Sequence, residues 1–284
     1  MNEGTSISEL IGIARQVRRL VLQTAHTAGA GHVGGSLSAA EQLTALYFKQ
    51  MRIDPADPDA PNRDRFILSK GHCGLGLYVT LALRGYFPVF ELDTFDANDT
   101  RLQMHPDMHK LPGLDMSTGS LGQGLSVGIG MALAARRTGS DAHTYVLMGD
   151  GELQEGMAWE ALHTAPRYGL DNLTAILDHN RQQQYGYSKE DDGGVRRHLD
   201  PWAGVDLAAV AASLGWHVHH IDGHDMGEVV AALEHAPVLG KPTLVISRTV
   251  KGKGVSFMEG VTKWHTGGPT VDELSLALAG LEGE

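Results

Sequence analysis

Apolar positions along this chain keep two rhythms. From Ser6 to about Thr27 they return every three or four residues (Leu10, Ile13, Val17, Leu20, Val21), the spacing of one helix face, with Ser8 placed to cap the N-terminus. The glycine-rich Ala28-Gly29-Ala30-Gly31-His32-Val33-Gly34-Gly35 then reads as a loop, too flexible for a core element and suited to close backbone approach. A second helix is expected from Ser36 to about Lys49, and the Pro- and Asp-rich stretch from Met51 to Arg63 reads as surface loop. Beyond it the rhythm changes to short apolar runs: Arg65-Phe66-Ile67-Leu68, Tyr145-Val146-Leu147, Leu173 to Leu177, Trp216 to Ile221 and Thr243 to Ser247. Runs of this length between turn residues predict strands. Helical patterns separate them: one ending near Arg84, a small-residue helix from about Leu125 to Arg137, then Ala208 to Leu214 and Asp225 to His235. Asp93 to Asp115 is irregular and expected to be an ordered, functional loop. Arg181 to Asp200 is expected to be a mobile loop, Lys251 to Pro269 another glycine-rich loop, and a short helix closes the chain. Alternating strands and helices predict an α/β fold, a mostly parallel sheet flanked by helices, as one domain over residues 1–284.

Charge and composition narrow the partners. A formal net charge of −11 opposes a nucleic acid, whose affinity comes from basic groups meeting phosphates. An anionic ligand on such a chain needs a divalent cation. Cys73 is the single cysteine, so no intrachain disulfide forms and a reducing compartment is suited. The N-terminus has no basic leader, and no apolar run approaches ~18 residues. A cytoplasmic protein without a membrane partner is the expectation.

The sharpest chemistry lies at two strand ends. Met148-Gly149-Asp150-Gly151-Glu152 follows one apolar run, and Leu177-Asp178-His179-Asn180 ends the next; Asp150 and Asn180 are 30 positions apart. One βαβ crossover has about that length, which puts both side chains at the C-terminal ends of parallel strands, where ligands bind in open α/β sheets. A carboxylate and an amide oxygen suit Mg²⁺ or Ca²⁺, and Mg²⁺ often combines few protein ligands with phosphate oxygens. The glycines flanking Asp150 would let backbone N–H groups approach a diphosphate. His217, His219, His220 and His224 form a separate group whose His-X-His spacing could bind zinc, although an apolar strand followed by a turn is the plainer reading.

Gly149-Asp150-Gly151 followed by Asn180 resembles the thiamine diphosphate signature, and further blocks look like transketolase. These are Gly31-His32-Val33-Gly34-Gly35-Ser36, Ser69-Lys70-Gly71-His72, Met104-His105-Pro106, Ser117-Thr118-Gly119-Ser120-Leu121-Gly122-Gln123-Gly124, Ile221-Asp222-Gly223-His224-Asp225, and Lys251-Gly252-Lys253-Gly254 with Trp264-His265. They occur in the family's order over roughly residues 10 to 270 and resemble its diphosphate-binding module within the thiamine diphosphate-binding fold. The resemblance implies a Mg²⁺ site (Ca²⁺ or Mn²⁺ being the other choices) made by Asp150, Asn180 and the backbone carbonyl of Gln182. It implies that His72, Gly119, Ser120, Leu121, Asp150, Gly151, Asn180 and His265 line the cofactor. It also implies that His32, His105 and His265 face the sugar, and that Glu155 and Glu160 lie near a subunit interface and link two active sites. Imidazoles suit the sugar because they donate or accept protons near neutrality. Lys251 and Lys253 could meet phosphate or be solvated charges.

The same resemblance implies transfer of a two-carbon ketol unit from a ketose or its phosphate to an aldose or its phosphate. The glutamate that switches the cofactor's aminopyrimidine would lie on a pyrimidine-binding domain outside this chain. The expected assembly is therefore a split transketolase: this N-terminal subunit with a C-terminal partner, as an α2β2 heterotetramer. The alternatives are a 1-deoxyxylulose-phosphate-synthase-like subunit or a non-catalytic regulatory one. Three positions depart from the family pattern: His179 replaces the usual Asp or Asn, Arg181 the usual Gly, and Gln183-Gln184-Tyr185 is more polar than expected. Neither a P-loop nor a dinucleotide fingerprint is present.

Overall fold

The structure is a computed structural model that describes residues 4–184, 188–190, 196–198 and 200–282. Strands β1 (Arg65–Leu68), β2 (Thr144–Gly149) and β3 (Leu173–His179) lie side by side; β7 (Thr243–Arg248) pairs with β3, and β6 (His217–Asp222) forms the edge beyond it. Every pairing in this five-stranded sheet is parallel. A separate antiparallel ladder joins β4 (Ser188–Glu190) to β5 (Arg196–His198). It falls in the stretch expected to be a mobile loop, much of which, Tyr185 included, lies outside the described residues.

Side chains alternate across the pleat. Phe66, Leu68, Tyr145, Leu147, Ile176 and Val245 enter one core, closed by α1 (Ile7–Ala28), α2 (Val33–Ser38), α3 (Ala40–Ala45), α4 (Gly74–Arg84), α8 (Met226–Glu234) and α9 (Val271–Glu282). Ile67, Val146, Met148, Ala175, Leu177, Leu244 and Ile246 enter the other, closed by α5 (Gly124–Thr138), α6 (Gly156–Arg167) and α7 (Leu207–Leu214). Burial on both faces is why the central strands read as unbroken apolar runs. The expected α/β class, with a parallel sheet between helices, is the one found.

Three local expectations change. The N-cap of α1 is Ser6, not Ser8: Glu9 N–H donates to Ser6 Oγ at 3.2 Å, and Ser6 N–H donates to Glu9 Oε2 at 2.8 Å. This reciprocal box satisfies two orphan donors and outcompetes a lone serine. The glycine-rich segment is not a loop throughout, because Val33 to Ser38 form the buried α2. A Cβ on Gly34 would lie 2.7 Å from the Trp264 carbonyl oxygen, and one on Gly35 2.5 Å from Cys73 Sγ. Those glycines serve close packing. The helix expected from Ser36 to Lys49 is broken at Ala39 into α2 and α3 and ends in a π turn, Leu46–Gln50. After the break, Gln42 Nε2 donates to the Gly223 carbonyl at 3.0 Å and to Ser247 Oγ at 2.6 Å, which ties α3 to the ends of β6 and β7. Among the described residues, no helix is long and apolar enough to cross a membrane.

Candidate active site

The C-terminal ends of β1, β2, β3 and β7 meet around a cavity of about 510 Å³. Its frame is an ion pair between Lys70, just after β1, and Asp178, on β3, both 0% exposed. Lys70 Nζ also donates to the Gly35 carbonyl at 3.1 Å. Asp178 further accepts from Ser38 Oγ at 2.7 Å, from Thr249 Oγ1, and from Asn180 Nδ2 at 3.0 Å. Burial works against both charges. Their mutual attraction overcomes it, holding Lys70 above the usual ammonium range and Asp178 below the usual carboxylate range. A carboxylate only accepts, so the NH₂ of Asn180 must face Asp178 and its Oδ1 must face away. That Oδ1 accepts from Gln182 N–H at 3.1 Å.

Asp150, immediately after β2, is 1% exposed. Its carboxylate accepts from Gly151 N–H at 2.8 Å and from Arg181 N–H at 2.5 Å. Trp202 Nε1–H donates to its main-chain carbonyl at 2.8 Å. Burial first, and then the nearby Asp178 carboxylate, push the Asp150 pKa up to about 7. No salt bridge to Asp150 occurs among the described residues. Such a carboxylate calls for a cation. Asp150, Asn180 Oδ1 and the main-chain carbonyl of Gln182 could supply oxygen donors of the kind Mg²⁺ favours. Among the described residues, no group of three or more His, Cys, Asp and Glu side chains is arranged to hold a metal. His217 and His219 bond to each other through Nε2 atoms at 3.1 Å.

The glycines beside Asp150 line the cavity, and their amides bond within the chain. Gly149 N–H donates to Glu152 Oε2 at 3.1 Å, and Gly151 N–H is taken by Asp150 itself. Glu152, 2% exposed, carries a role that its place in the motif did not reveal. It also accepts from Ser69 Oγ and from Gly122 N–H at 2.8 Å, tying three site loops together.

Four histidines share the cavity. The His32 ring centroid lies 5.5 Å from that of His72, 5.8 Å from His105 and 5.3 Å from His265; His72 and His265 stack at 5.4 Å. Burial, reinforced by His105 and Lys251, lowers His32 to about 4. Burial and then Lys70 and Lys251 push His72 well below the usual imidazole range. Both rings are neutral at pH 7. His32 Nδ1 is buried without a hydrogen-bond partner among the described residues, as expected of an atom kept for a ligand. Lys251, 3% exposed, lies 2.6 Å from His265 Nδ1, and burial brings its pKa down to about 8. The backbone of Gly119 approaches closely here: a Cβ on Gly71 would meet Gly119 N at 2.5 Å.

Of the residues the sequence nominated, His32, His72, His105, Gly119, Leu121, Asp150, Gly151, Glu155, Asn180, Gln182 and His265 line this cavity. Ser120 is exposed beside it. Glu160 is exposed on α6 and does not line the cavity. The Gln182 side chain, which a carbonyl ligand does not need, donates through Nε2 to the Gly260 carbonyl at 2.5 Å. Of the two lysines, Lys251 enters the cavity, whereas Lys253 pairs with Glu259 at 3.6 Å. Arg181 adopts φ 63°, a left-handed conformation that explains why glycine suits this position. His179 Nε2 lies 3.6 Å from Asp200 Oδ1.

The parallel sheet thus carries Asp150 and Asn180 at the ends of two neighbouring strands, with a histidine-lined cavity alongside. Residues 11–278 match the transketolase thiamine diphosphate binding domain. The chain is 45% identical over 272 residues to a 6-deoxy-6-sulfo-D-fructose transketolase subunit of a Clostridium species, covering 95% of each. It is 43% identical over 280 residues to an apulose-4-phosphate transketolase subunit of Actinobacillus succinogenes, covering 98% of each. The transketolase structure from Campylobacter jejuni superposes with a TM-score of 0.87 at 30% identity, over 98% of this chain and 43% of that one. The present chain thus spans less than half the length of that transketolase. It belongs to the transketolase family.

Proposed function

We propose that this chain is the diphosphate-binding subunit of a two-component transketolase, dependent on thiamine diphosphate and Mg²⁺. The assembled enzyme moves a two-carbon ketol unit from a ketose or ketose phosphate to an aldose or aldose phosphate. The observation that carries this reading is one cavity that unites the Asp150–Asn180 oxygen pair with His32, His72, His105 and His265. The intact donor set and histidines support a catalytic over a regulatory role. Relatives matched over nearly their whole length are themselves named subunits, which supports a partner subunit; the reading makes that partner the pyrimidine-binding one, in an α2β2 assembly. Cys73, buried and free, suits the cytoplasm.

Asp150, Asn180 and the Gln182 carbonyl would hold Mg²⁺, and Lys251 adds positive charge toward a diphosphate. Gly119, Ser120 and Leu121 would wall the cofactor with His72. Thiamine diphosphate supplies the electron sink that lets a bond beside a ketose carbonyl break. The chain's own task is orientation and proton placement. Lys251, protonated below about pH 8, donates to His265 Nδ1 and so leaves the ring proton on Nε2. Neutral His32, with His105 beside it, can donate to, or accept from, sugar hydroxyls. Glu155 at the cavity rim and Glu160 on the outer face of α6 would meet the partner.

The test is two-carbon transfer by this chain, by its partner, and by the mixture. Activity is expected only in the mixture, lost on removal of Mg²⁺ and thiamine diphosphate and restored when both return. Comparable transfer by this chain alone, or transfer that survives cofactor removal, overturns the reading.

A further inference from the structure

The block Ile221-Asp222-Gly223-His224-Asp225 lies outside the cavity lining, yet it is wired to it. Val250 N–H donates to His224 Nε2 at 2.8 Å, and His224 Nδ1 lies 3.0 Å from Glu41 Oε2. A main-chain N–H can only donate, so Nε2 must carry the lone pair and Nδ1 the proton. His224 is therefore neutral, in the Nδ1–H form, and donates to Glu41. Glu41, 6% exposed, is held in turn by Arg18 Nη2 at 2.7 Å, and Arg18, 5% exposed, also donates to the Leu37 carbonyl at 3.2 Å. The chain of bonds runs Arg18, Glu41, His224, Val250.

Its end point matters because the next residue is Lys251, buried in the cofactor cavity 2.6 Å from His265 Nδ1. On the other side of Val250, Thr249 Oγ1 donates to Asp178, and beyond the lysine Gly252 N–H donates to the Gly34 carbonyl at 2.9 Å. Each residue from 249 to 252 is thus fixed by a different partner, and His224 holds the one directly before the lysine.

We propose that His224 is a positioning residue of the cofactor site: a neutral imidazole, oriented by the Arg18–Glu41 pair, that fixes the main chain at Val250 and thereby aims Lys251 at the cavity. The inference rests on the thiamine diphosphate reading of that cavity but uses residues outside it. Because the ring works as an acceptor toward Val250, a substitute succeeds by supplying an acceptor there, not by filling space. Gln reaches that point with Oε1, whereas Phe keeps the ring shape and offers nothing.

Two measurements test this. In the ¹⁵N-labelled chain at pH 7, the His224 imidazole should show a neutral Nδ1–H, bare Nε2 pattern. A doubly protonated or Nε2–H ring overturns the proposal without any cofactor present. Calorimetric titration of thiamine diphosphate with Mg²⁺ into the chain plus its partner should show about tenfold weaker binding for His224→Phe and within about threefold of wild type for His224→Gln. Melting midpoints recorded for both variants ensure that binding is compared between folded assemblies. Equal binding by Phe and Gln variants overturns the positioning role, whereas no binding by the wild-type assembly overturns the cofactor reading itself.

Discussion

The two ends of the parallel sheet treat charge in opposite ways. At the N-terminal end charges close on one another. Asp64 accepts from Arg52 Nη2 at 2.9 Å and from His143 N–H at 2.9 Å, and Arg52 also reaches Asp141 at 2.6 Å. Asp115 takes both terminal nitrogens of Arg63, at 3.0 and 2.7 Å, together with Arg65 at 3.2 Å and Phe66 N–H at 2.8 Å. At the C-terminal end, among the described residues, two buried pairs close in this way, Lys70–Asp178 and the Arg18–Glu41 pair behind His224. Asp150, Lys251, His32 and His72 are instead pushed toward their neutral forms by burial. Fold energetics alone would not favour such groups, and their clustering in a cavity marks a place kept for a charged ligand. One end of the sheet is finished by folding; the other is left for the cofactor.

Breaking the finished end should cost stability and nothing else. Asp115→Ala strands the buried guanidinium of Arg63, which is expected to cost about 3–5 kcal/mol, read from denaturant unfolding. The cofactor affinity of the folded fraction should not change. A cost below about 1 kcal/mol would show that the pair is not doing the structural task assigned to it.

A pH series sharpens the same contrast. His143 packs against Tyr145 with ring centroids 4.5 Å apart, its Nε2 lies 2.8 Å from Thr174 Oγ1, and burial pushes its pKa down to about 4. The unfolded chain takes up this proton near its ordinary value of ~6.5, whereas the folded chain resists it. Stability is therefore complete above about pH 6.5 and falls as pH drops toward 4, by at most about 1.4 kcal/mol per unit for one proton. His143→Gln should flatten that slope in urea midpoints measured between pH 7 and 4.5. An unchanged slope would assign the acid sensitivity elsewhere.

The smallest effect is expected at Arg181. Exposed and at φ 63°, it carries backbone strain that glycine would not. Arg181→Gly is expected to raise stability by up to about 1 kcal/mol, less the extra chain entropy of glycine. A loss of stability would mean that the side chain makes a contact that outweighs the strain.

Much of this contrast could be read from residue order. Asp150 and Asn180 were legible because a strand, a crossover and a strand fix both their spacing and their end of the sheet. The four histidines were legible through the resemblance of their loops. What escaped was the support beneath them. Asp178 and Lys70 sit inside recognised motifs, yet nothing in their spacing, 108 positions apart, says that they pair. Glu152 has the look of one more surface acid until Ser69, Gly122 and Gly149 come together on it. The signal available was an acid directly following an apolar run, as in Leu177-Asp178, where solvation is impossible and a partner is required. α2 was hidden because a glycine that permits flexibility and a glycine that permits contact look identical until the neighbouring backbone is known.

The open charge at Asp150 is the most direct point of attack. Wild type and Asp150→Asn, each with the partner protein, are melted with and without Mg²⁺ and thiamine diphosphate. Without ligands the variant should melt at or above the wild type, because a buried carboxylate lacking a cation has been replaced by a neutral amide. With both ligands at about a hundredfold excess over Kd, the wild-type midpoint should rise by about 5 °C or more, and chelation of Mg²⁺ should remove the rise. The variant should show none. A ligand-induced rise of equal size in Asp150→Asn would contradict the assignment of this end of the sheet to the metal and its diphosphate.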